Sequence, residues 1–74
     1  MNFRVFIGIL KEMLSAGANM SILSEDGFYR ISFVDTGDYN AFVIRFKNRT
    51  LFEEDEARYE FTPASRSFEI TWLI

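Results

Sequence analysis

Apolar and polar residues change their period once along the chain, close to residue 19. Before that point, apolar residues recur at helical spacing and fill an arc of about 200° on a helical wheel. The narrow polar face consists of Arg4, Gly8, Lys11, Glu12 and Ser15. Gly17 is the residue type that most often ends a helix. The pattern therefore predicts an amphipathic helix over residues 3–16.

After residue 19 the chain alternates between apolar and polar residues, the period of a half-buried strand. The alternation predicts five strands, at about residues 20–24, 28–35, 41–47, 58–62 and 67–74. Ser24-Glu25-Asp26-Gly27 has the residues of a tight hairpin turn, and Pro63-Ala64-Ser65-Arg66 predicts another turn. Residues 36–40 and 48–57 are predicted as loops.

Each predicted strand has one apolar face, and this feature determines the expected architecture. Short connections favour antiparallel hairpins, and the helix must cover the apolar face. We expect a two-layer α+β fold, with one N-terminal helix packed on a four- to five-stranded, meander-like antiparallel sheet. A chain of 74 residues without a visible linker indicates a single domain, residues 1–74.

The amino-acid composition limits the kinds of catalytic and metal-binding site that the chain can form. The chain has neither cysteine nor histidine, which excludes disulfides and Cys-based zinc sites and removes the commonest general base. It also lacks the nucleophile-elbow, P-loop, zinc-protease, dinucleotide-binding and EF-hand patterns. We therefore expect a protein that is not an enzyme and that uses no metal or cofactor.

The apolar stretch Phe3–Leu14 is too short to span a bilayer, and it carries Lys11 and Glu12. We expect no membrane segment and a cytoplasmic location, in a bacterial cell or a host.

Four consecutive acids are the most conspicuous polar feature of the sequence: Glu53, Glu54, Asp55 and Glu56. We interpret them as a contact for a basic surface of a protein partner, with Asp35 and Asp38 in a neighbouring loop. The alternative is a solvated loop whose charges repel one another.

The apolar arc of the helix is wider than the stripe of about 100° that one sheet covers. Phe3, Ile7 and Leu14 lie towards one edge of the arc. A curved sheet or the loop carrying Leu51 and Phe52 would cover the edges; otherwise a partner or a second copy does. The residues predicted for self-association lie on the opposite helix edge and on the apolar last strand: Val5, Ile9, Met13, Trp72 and Ile74.

Basic residues on the polar sheet face give an alternative, nucleic-acid-binding interpretation: Arg30, Arg45, Lys47 and Arg58. Glu60 and Glu69 lie among them and favour ordinary cross-strand charge pairing instead. Single-strand binders place stacking aromatic rings on the binding face, whereas the rings here fall on the apolar face. The net charge of −3 also disfavours nucleic acid.

In size, acidic charge and helix-plus-sheet architecture, the chain resembles the small inhibitors that phages and mobile elements encode against host enzymes and defence systems. The resemblance implies a non-catalytic protein-binding module, anti-CRISPR-like or anti-restriction-like, that occludes a surface of a host defence or nucleic-acid enzyme. The alternatives are a self-associating assembly protein, forming a homodimer, and nucleic-acid binding through the polar sheet face.

Overall fold

The computed structural model describes residues 2–50 and 57–72. In chain order the elements are α1 (Phe3–Ser15), β1 (Met20–Glu25), β2 (Phe28–Phe33), α2 (Thr36–Thr50), β3 (Ala57–Thr62), a short 3₁₀ turn (Pro63–Ser65) and β4 (Ser67–Trp72). The predicted α+β class is confirmed, with an N-terminal helix and a four-stranded antiparallel sheet.

Local hydrogen bonds fix both ends of α1. The side chain of Asn2 accepts a bond from the N–H of Arg4 at 2.7 Å, as an N-cap residue does. At the other end, Gly17 has a φ of 82° and donates to the carbonyl of Leu14 at 3.0 Å. The N–H of Ala18 donates to the carbonyl of Met13 at 3.0 Å. This pair of bonds is a Schellman motif, so the predicted end of the helix is confirmed.

The sheet has the strand order β1-β2-β4-β3, and every neighbouring pair is antiparallel. It consists of two hairpins, and in the first Glu25 pairs with Phe28 across a turn in which Gly27 has a φ of 77°. The order departs from a simple meander at its centre, where β2 lies beside β4. The connection from β2 to β3 contains a helix, which carries the chain across the sheet before β3 begins.

The sequence-based prediction was wrong for residues 36–50, which form α2 rather than a loop (36–40), a strand (41–47) and the start of a second loop (48–57). Phe42, Ile44 and Phe46 alternate as strand residues do, but Ile44 is 60% exposed while Phe42 and Phe46 are fully buried. The third buried residue, Tyr39, precedes them at helical spacing. The burial therefore follows the helical period and not the alternation.

Both helices cover the same face of the sheet. Phe46 of α2 packs its ring against Tyr59 and Phe61 of β3, at centroid distances of 4.9 and 5.6 Å. Phe6 of α1 instead contacts Tyr29 of β2, at 5.5 Å. It also contacts Trp72, at 5.2 Å. Of the two helices, α2 therefore lies towards β3 and α1 lies towards β1.

The buried core is one apolar cluster between the helices and the sheet: Phe6, Ile9, Leu10, Met13, Ile31, Phe33, Tyr39, Phe42, Phe46, Ala57, Phe68 and Ile70. The Cα radius of gyration is 11.5 Å, close to the value of about 11 Å expected for a compact chain of this length.

Candidate protein-binding surface

Strand β1 is an edge of the sheet, with β2 as its neighbour on one side and no described strand on the other. Only its first residue, Met20, is half-buried, and the remaining residues of the strand are exposed. Two of these are large and apolar: Ile22 is 42% exposed and Leu23 is 43% exposed. The edge therefore presents backbone and apolar side chains together.

The direction of the backbone groups on β1 follows from its pairing with β2. The N–H of Val34 donates to the carbonyl of Asn19 at 3.1 Å, which extends the register that pairs Met20 with Phe33. Because hydrogen-bonded and non-hydrogen-bonded pairs alternate along an antiparallel ladder, Ser21, Leu23 and Glu25 face β2. The N–H and carbonyl groups of Met20, Ile22 and Ser24 then face away from the sheet, where no described residue bonds them.

The two exposed apolar residues of β1 lie on opposite faces. Ile22 pairs with Ile31, which is a core residue, so Ile22 lies on the helix-covered face. Leu23 pairs with Arg30 on the open face. The edge is therefore apolar on both sides.

One margin of α1 is also apolar and exposed. Phe3, Ile7 and Leu14 lie along the side of α1 that is turned away from α2; Ile7 is half-buried, and the other two are 43% and 53% exposed. A shallow groove of about 280 Å³ surrounds Gly8 and is lined by Phe3, Arg4, Ile7, Gly8 and Lys11. Because α1 lies on the β1 side of α2, this margin is turned towards the β1 edge, while its Phe3 ring packs on Tyr29 of β2 and Trp72 of β4. We call Ile22, Leu23, Phe3, Ile7 and Leu14 the β1 margin.

The opposite margin of α1, where self-association was predicted, is covered within the chain. Ile9 is 0% and Met13 is 2% exposed, and Val5 packs against the core. Glu12 on the same side pairs with Arg45 of α2, at 3.4 Å. The surplus apolar arc exists because α1 packs against a second helix as well as the sheet.

The last strand does not offer a free edge either. β4 lies inside the sheet between β2 and β3, and Trp72 is partly buried against the core. Ile74, also predicted for self-association, lies outside the described residues.

The other edge strand, β3, carries charges that β1 lacks. Arg58 and Glu60 alternate along it on the open face, and Tyr59 is half-exposed on the helix face. The Lys47 ammonium group lies 5.6 Å from the centroid of the Phe61 ring. Charges on an edge strand discourage pairing with another strand, so the two edges of this sheet are chemically different.

The predicted nucleic-acid surface is not assembled. Arg30 and Arg58 lie on the open sheet face, where Arg30 pairs with Glu69 at 3.3 Å. Arg45 and Lys47 belong to α2, on the other side of the sheet. The prediction of one cationic face was wrong because it treated residues 41–47 as a strand.

The predicted acidic site falls partly on Glu53–Glu56, which lies outside the described residues. Asp35 directly precedes α2, and Asp38 lies in its first turn. Asp35 caps α2 by accepting a bond from the N–H of Gly37 at 2.7 Å. Asp38 accepts one from the N–H of Asn19 at 3.1 Å. Both aspartates therefore have structural partners within the fold.

One buried polar group has no partner. The Tyr39 side chain is 4% exposed, and no described residue hydrogen-bonds its hydroxyl. Burial raises the pKa of the Tyr39 phenol above its usual value of 10.0. The ring itself packs edge-on against Phe33, at 6.0 Å, so its contribution to the core is apolar.

Comparison of the chain with protein-family models, with curated proteins and with solved structures found no match. Within residues 2–50 and 57–72, no helix is long and apolar enough to cross a membrane. The same residues contain no group of three or more acidic side chains placed to hold a metal ion.

Sequence reasoning missed the β1 edge as a site. Its signal is the charge-free run Met20–Ser24, which becomes informative only once the strand order places it at the end of the sheet.

Proposed function

We propose that this chain is a non-catalytic protein-binding module that acts by occupying a surface of another protein chain. The observation that carries the proposal is the β1 edge, where outward-facing backbone groups lie beside the exposed side chains of Ile22 and Leu23. Such an edge binds by strand addition: main-chain hydrogen bonds supply affinity, and alternate side chains supply specificity.

The contrast with β3 supports the choice of β1. Natural edge strands are usually protected by charged side chains, proline or bulges. On β3, Arg58 and Glu60 alternate, and Pro63 follows the strand. On β1, the central residues carry no charge, and the one acid, Glu25, lies at the turn. An unprotected apolar edge favours association with another chain.

The finer proposal is an inhibitor of a host defence or nucleic-acid enzyme, of the kind that phages and mobile elements encode, acting in the cytoplasm by occlusion. The net charge of −3 and the run Glu53–Glu56 support it, because basic nucleic-acid-binding surfaces attract acidic ones.

An affinity-capture experiment from a bacterial lysate tests the β1 edge. Ile22→Pro removes an N–H that faces away from β2, so pairing within the sheet keeps all its bonds while an added strand loses one. Ile44→Ser is the matched control, since it removes an exposed apolar side chain from α2. We expect a bound chain, identified by mass spectrometry as a lysate protein or as a co-expressed untagged copy of this chain, that wild type and Ile44→Ser retain and Ile22→Pro loses. Equal retention by a folded Ile22→Pro variant would refute the proposal.

A separate variant tests whether the acidic run Glu53–Glu56 contributes to binding. Replacing Glu53, Glu54, Asp55 and Glu56 together by Ser should weaken binding of the captured protein and reduce the salt dependence of its affinity. Unchanged affinity would remove the acidic run from the interface and leave β1 as the contact.

A further inference from the structure

We propose that the partner of β1 is a second copy of this chain, paired antiparallel about a two-fold axis that passes through Ile22. The inference rests on the proposed function, because it names the occupant of the same edge. The two sheets would join into one continuous sheet with all four helices on the same face.

The register follows from the backbone groups that face outward. With the axis at Ile22, each Ile22 lies opposite its copy, and Met20 lies opposite Ser24 of the second copy. Residues opposite one another in these pairs exchange both N–H···O bonds, so every outward group of β1 between Met20 and Ser24 is paired. An axis at Leu23 would instead place Met20 opposite Asp26, in the turn. The Ile22 register therefore forms the longer ladder.

The side chains fit the same register. A two-fold axis perpendicular to the sheet keeps each face on its own side, so Ile22 meets Ile22 on the helix-covered face. It also brings the exposed α1 margins of the two copies, Phe3 and Leu14 among them, towards each other. On the open face, Leu23 lies opposite Ser21 of the second copy. Apolar surface thus meets apolar surface where the helices lie.

The charges do not oppose the pairing. Glu25 is the one charged residue of β1, and in this register it lies opposite Asn19 of the second copy rather than opposite another Glu25. Within β1, the register is therefore self-complementary in its backbone groups and apolar side chains, and it places no two like charges of the strand opposite each other.

The second free edge is the competing geometry. β3 would pair with its copy about Tyr59, with Arg58 opposite Glu60. Side chains of α2 already cover the helix face of β3, because Phe46 packs on Tyr59 and Phe61, and Lys47 lies against the Phe61 ring. The β1 margin has the larger exposed apolar surface, so we assign the contact to β1.

The first test is the solution mass of the purified full chain, by light scattering over a dilution series. We expect a mass of twice 8.7 kDa that falls to the monomer value on dilution. Ile22→Lys places two ammonium groups at the axis and should give a monomer throughout. Ile44→Lys is the matched control, since Ile44 is an exposed apolar residue of α2 that lies outside β1; it should remain dimeric. A monomeric wild type at every concentration would overturn the inference.

Single-cysteine variants then test the register, because the natural chain has no cysteine. Opposite residues in a hydrogen-bonded pair have Cα atoms about 5.5 Å apart, within disulfide range, whereas diagonal neighbours lie beyond about 7 Å. Mild oxidation should therefore cross-link Ile22→Cys and spare Leu23→Cys. Cross-linking of Tyr59→Cys instead of Ile22→Cys would overturn the β1 assignment in favour of β3.

The two proposals fail separately. The mass and cross-linking tests use only the purified chain, so a negative result removes the second copy as the partner. Capture of another protein that depends on Ile22 would then still support the protein-binding function.

Discussion

Phe33 and Arg66 bond each other in both directions. The N–H of Phe33 donates to the carbonyl of Arg66 at 2.9 Å, and the guanidinium Nε of Arg66 donates to the carbonyl of Phe33 at 3.2 Å. Arg66 holds a left-handed conformation, with φ 51° and ψ 47°, after the 3₁₀ turn. One residue thus ends the second hairpin turn and closes the ladder between β2 and β4.

This pairing predicts different outcomes for two substitutions. Arg66→Ala removes the guanidinium bond and keeps the strained backbone, so it should lower the free energy of unfolding by about 1 kcal/mol. Arg66→Gly loses the same bond but relieves a backbone strain of about 1 kcal/mol, and should be nearly neutral. Urea unfolding of both variants measures the difference. Equal losses would show that the left-handed backbone carries no cost here.

Tyr39→Phe should stabilise the protein. It removes a buried hydroxyl that lacks a partner among the described residues and leaves the ring packing intact. Because an unsatisfied buried polar group costs about 1–3 kcal/mol, we expect the free energy of unfolding to rise by about 1 kcal/mol in urea at neutral pH. A loss of stability would mean that the hydroxyl is bonded in solution.

The same residue predicts a pH dependence. Burial raises the pKa of the Tyr39 phenol in the folded state above the unfolded value of 10.0, so the folded state holds its proton more tightly. The resulting stability is fully present below pH 10.0 and is lost as the pH rises through the raised pKa. Urea unfolding at increasing alkaline pH should show a steeper loss for wild type than for Tyr39→Phe. Parallel curves would contradict the burial of a neutral phenol.

Substitution by alanine should have opposite effects on stability at Gly8, within α1, and at Gly17, just after it. A methyl group added at Gly8 meets no atom within 4 Å beyond its chain neighbours and the backbone of its own helix, so Gly8→Ala should stabilise α1 by roughly 1 kcal/mol. Gly17 has a φ of 82°, and Gly17→Ala should destabilise it by about as much. Thermal unfolding followed by circular dichroism compares them. A destabilising Gly8→Ala would indicate that the groove around Gly8 is occupied.

The cap of α2 gives a test of the helix that the sequence pattern did not predict. Asp35→Ala removes the acceptor for the N–H of Gly37 and should cost about 1 kcal/mol, whereas Asp35→Asn keeps an oxygen acceptor and should cost less. Urea unfolding midpoints measure both. Indistinguishable stabilities of Asp35→Ala and wild type would argue against a capped helix at this position.

The parts of the fold that local chemistry decides were predictable from sequence. The helical period and Gly17 define α1, and the alternation of Tyr29, Ile31 and Phe33 identifies the apolar face of β2. Residues 36–50 carry two patterns at once. Phe42, Ile44 and Phe46 fit a strand, while Tyr39, Phe42 and Phe46 fit a helix that follows an aspartate cap.

Tertiary packing decides between those patterns, because only the helix buries Tyr39 and leaves Ile44 exposed. The candidate site depends on the same non-local information. The sequence of β1 does not tell which strands become edges, since the order β1-β2-β4-β3 is set by the pairing of β2 with β4, which are distant in the chain. The exposed α1 margin was recognised as surplus apolar surface, but the edge that stays exposed depends on where α2 packs.

The position of Trp72 provides an intrinsic optical reporter. It is the single tryptophan of the chain, and its ring lies 5.2 Å from that of Phe3 and 5.2 Å from that of Phe6. Tyr29 lies at 5.9 Å, close enough to transfer excitation to it. Fluorescence emission therefore follows the attachment of the first helix to the sheet, without any added label.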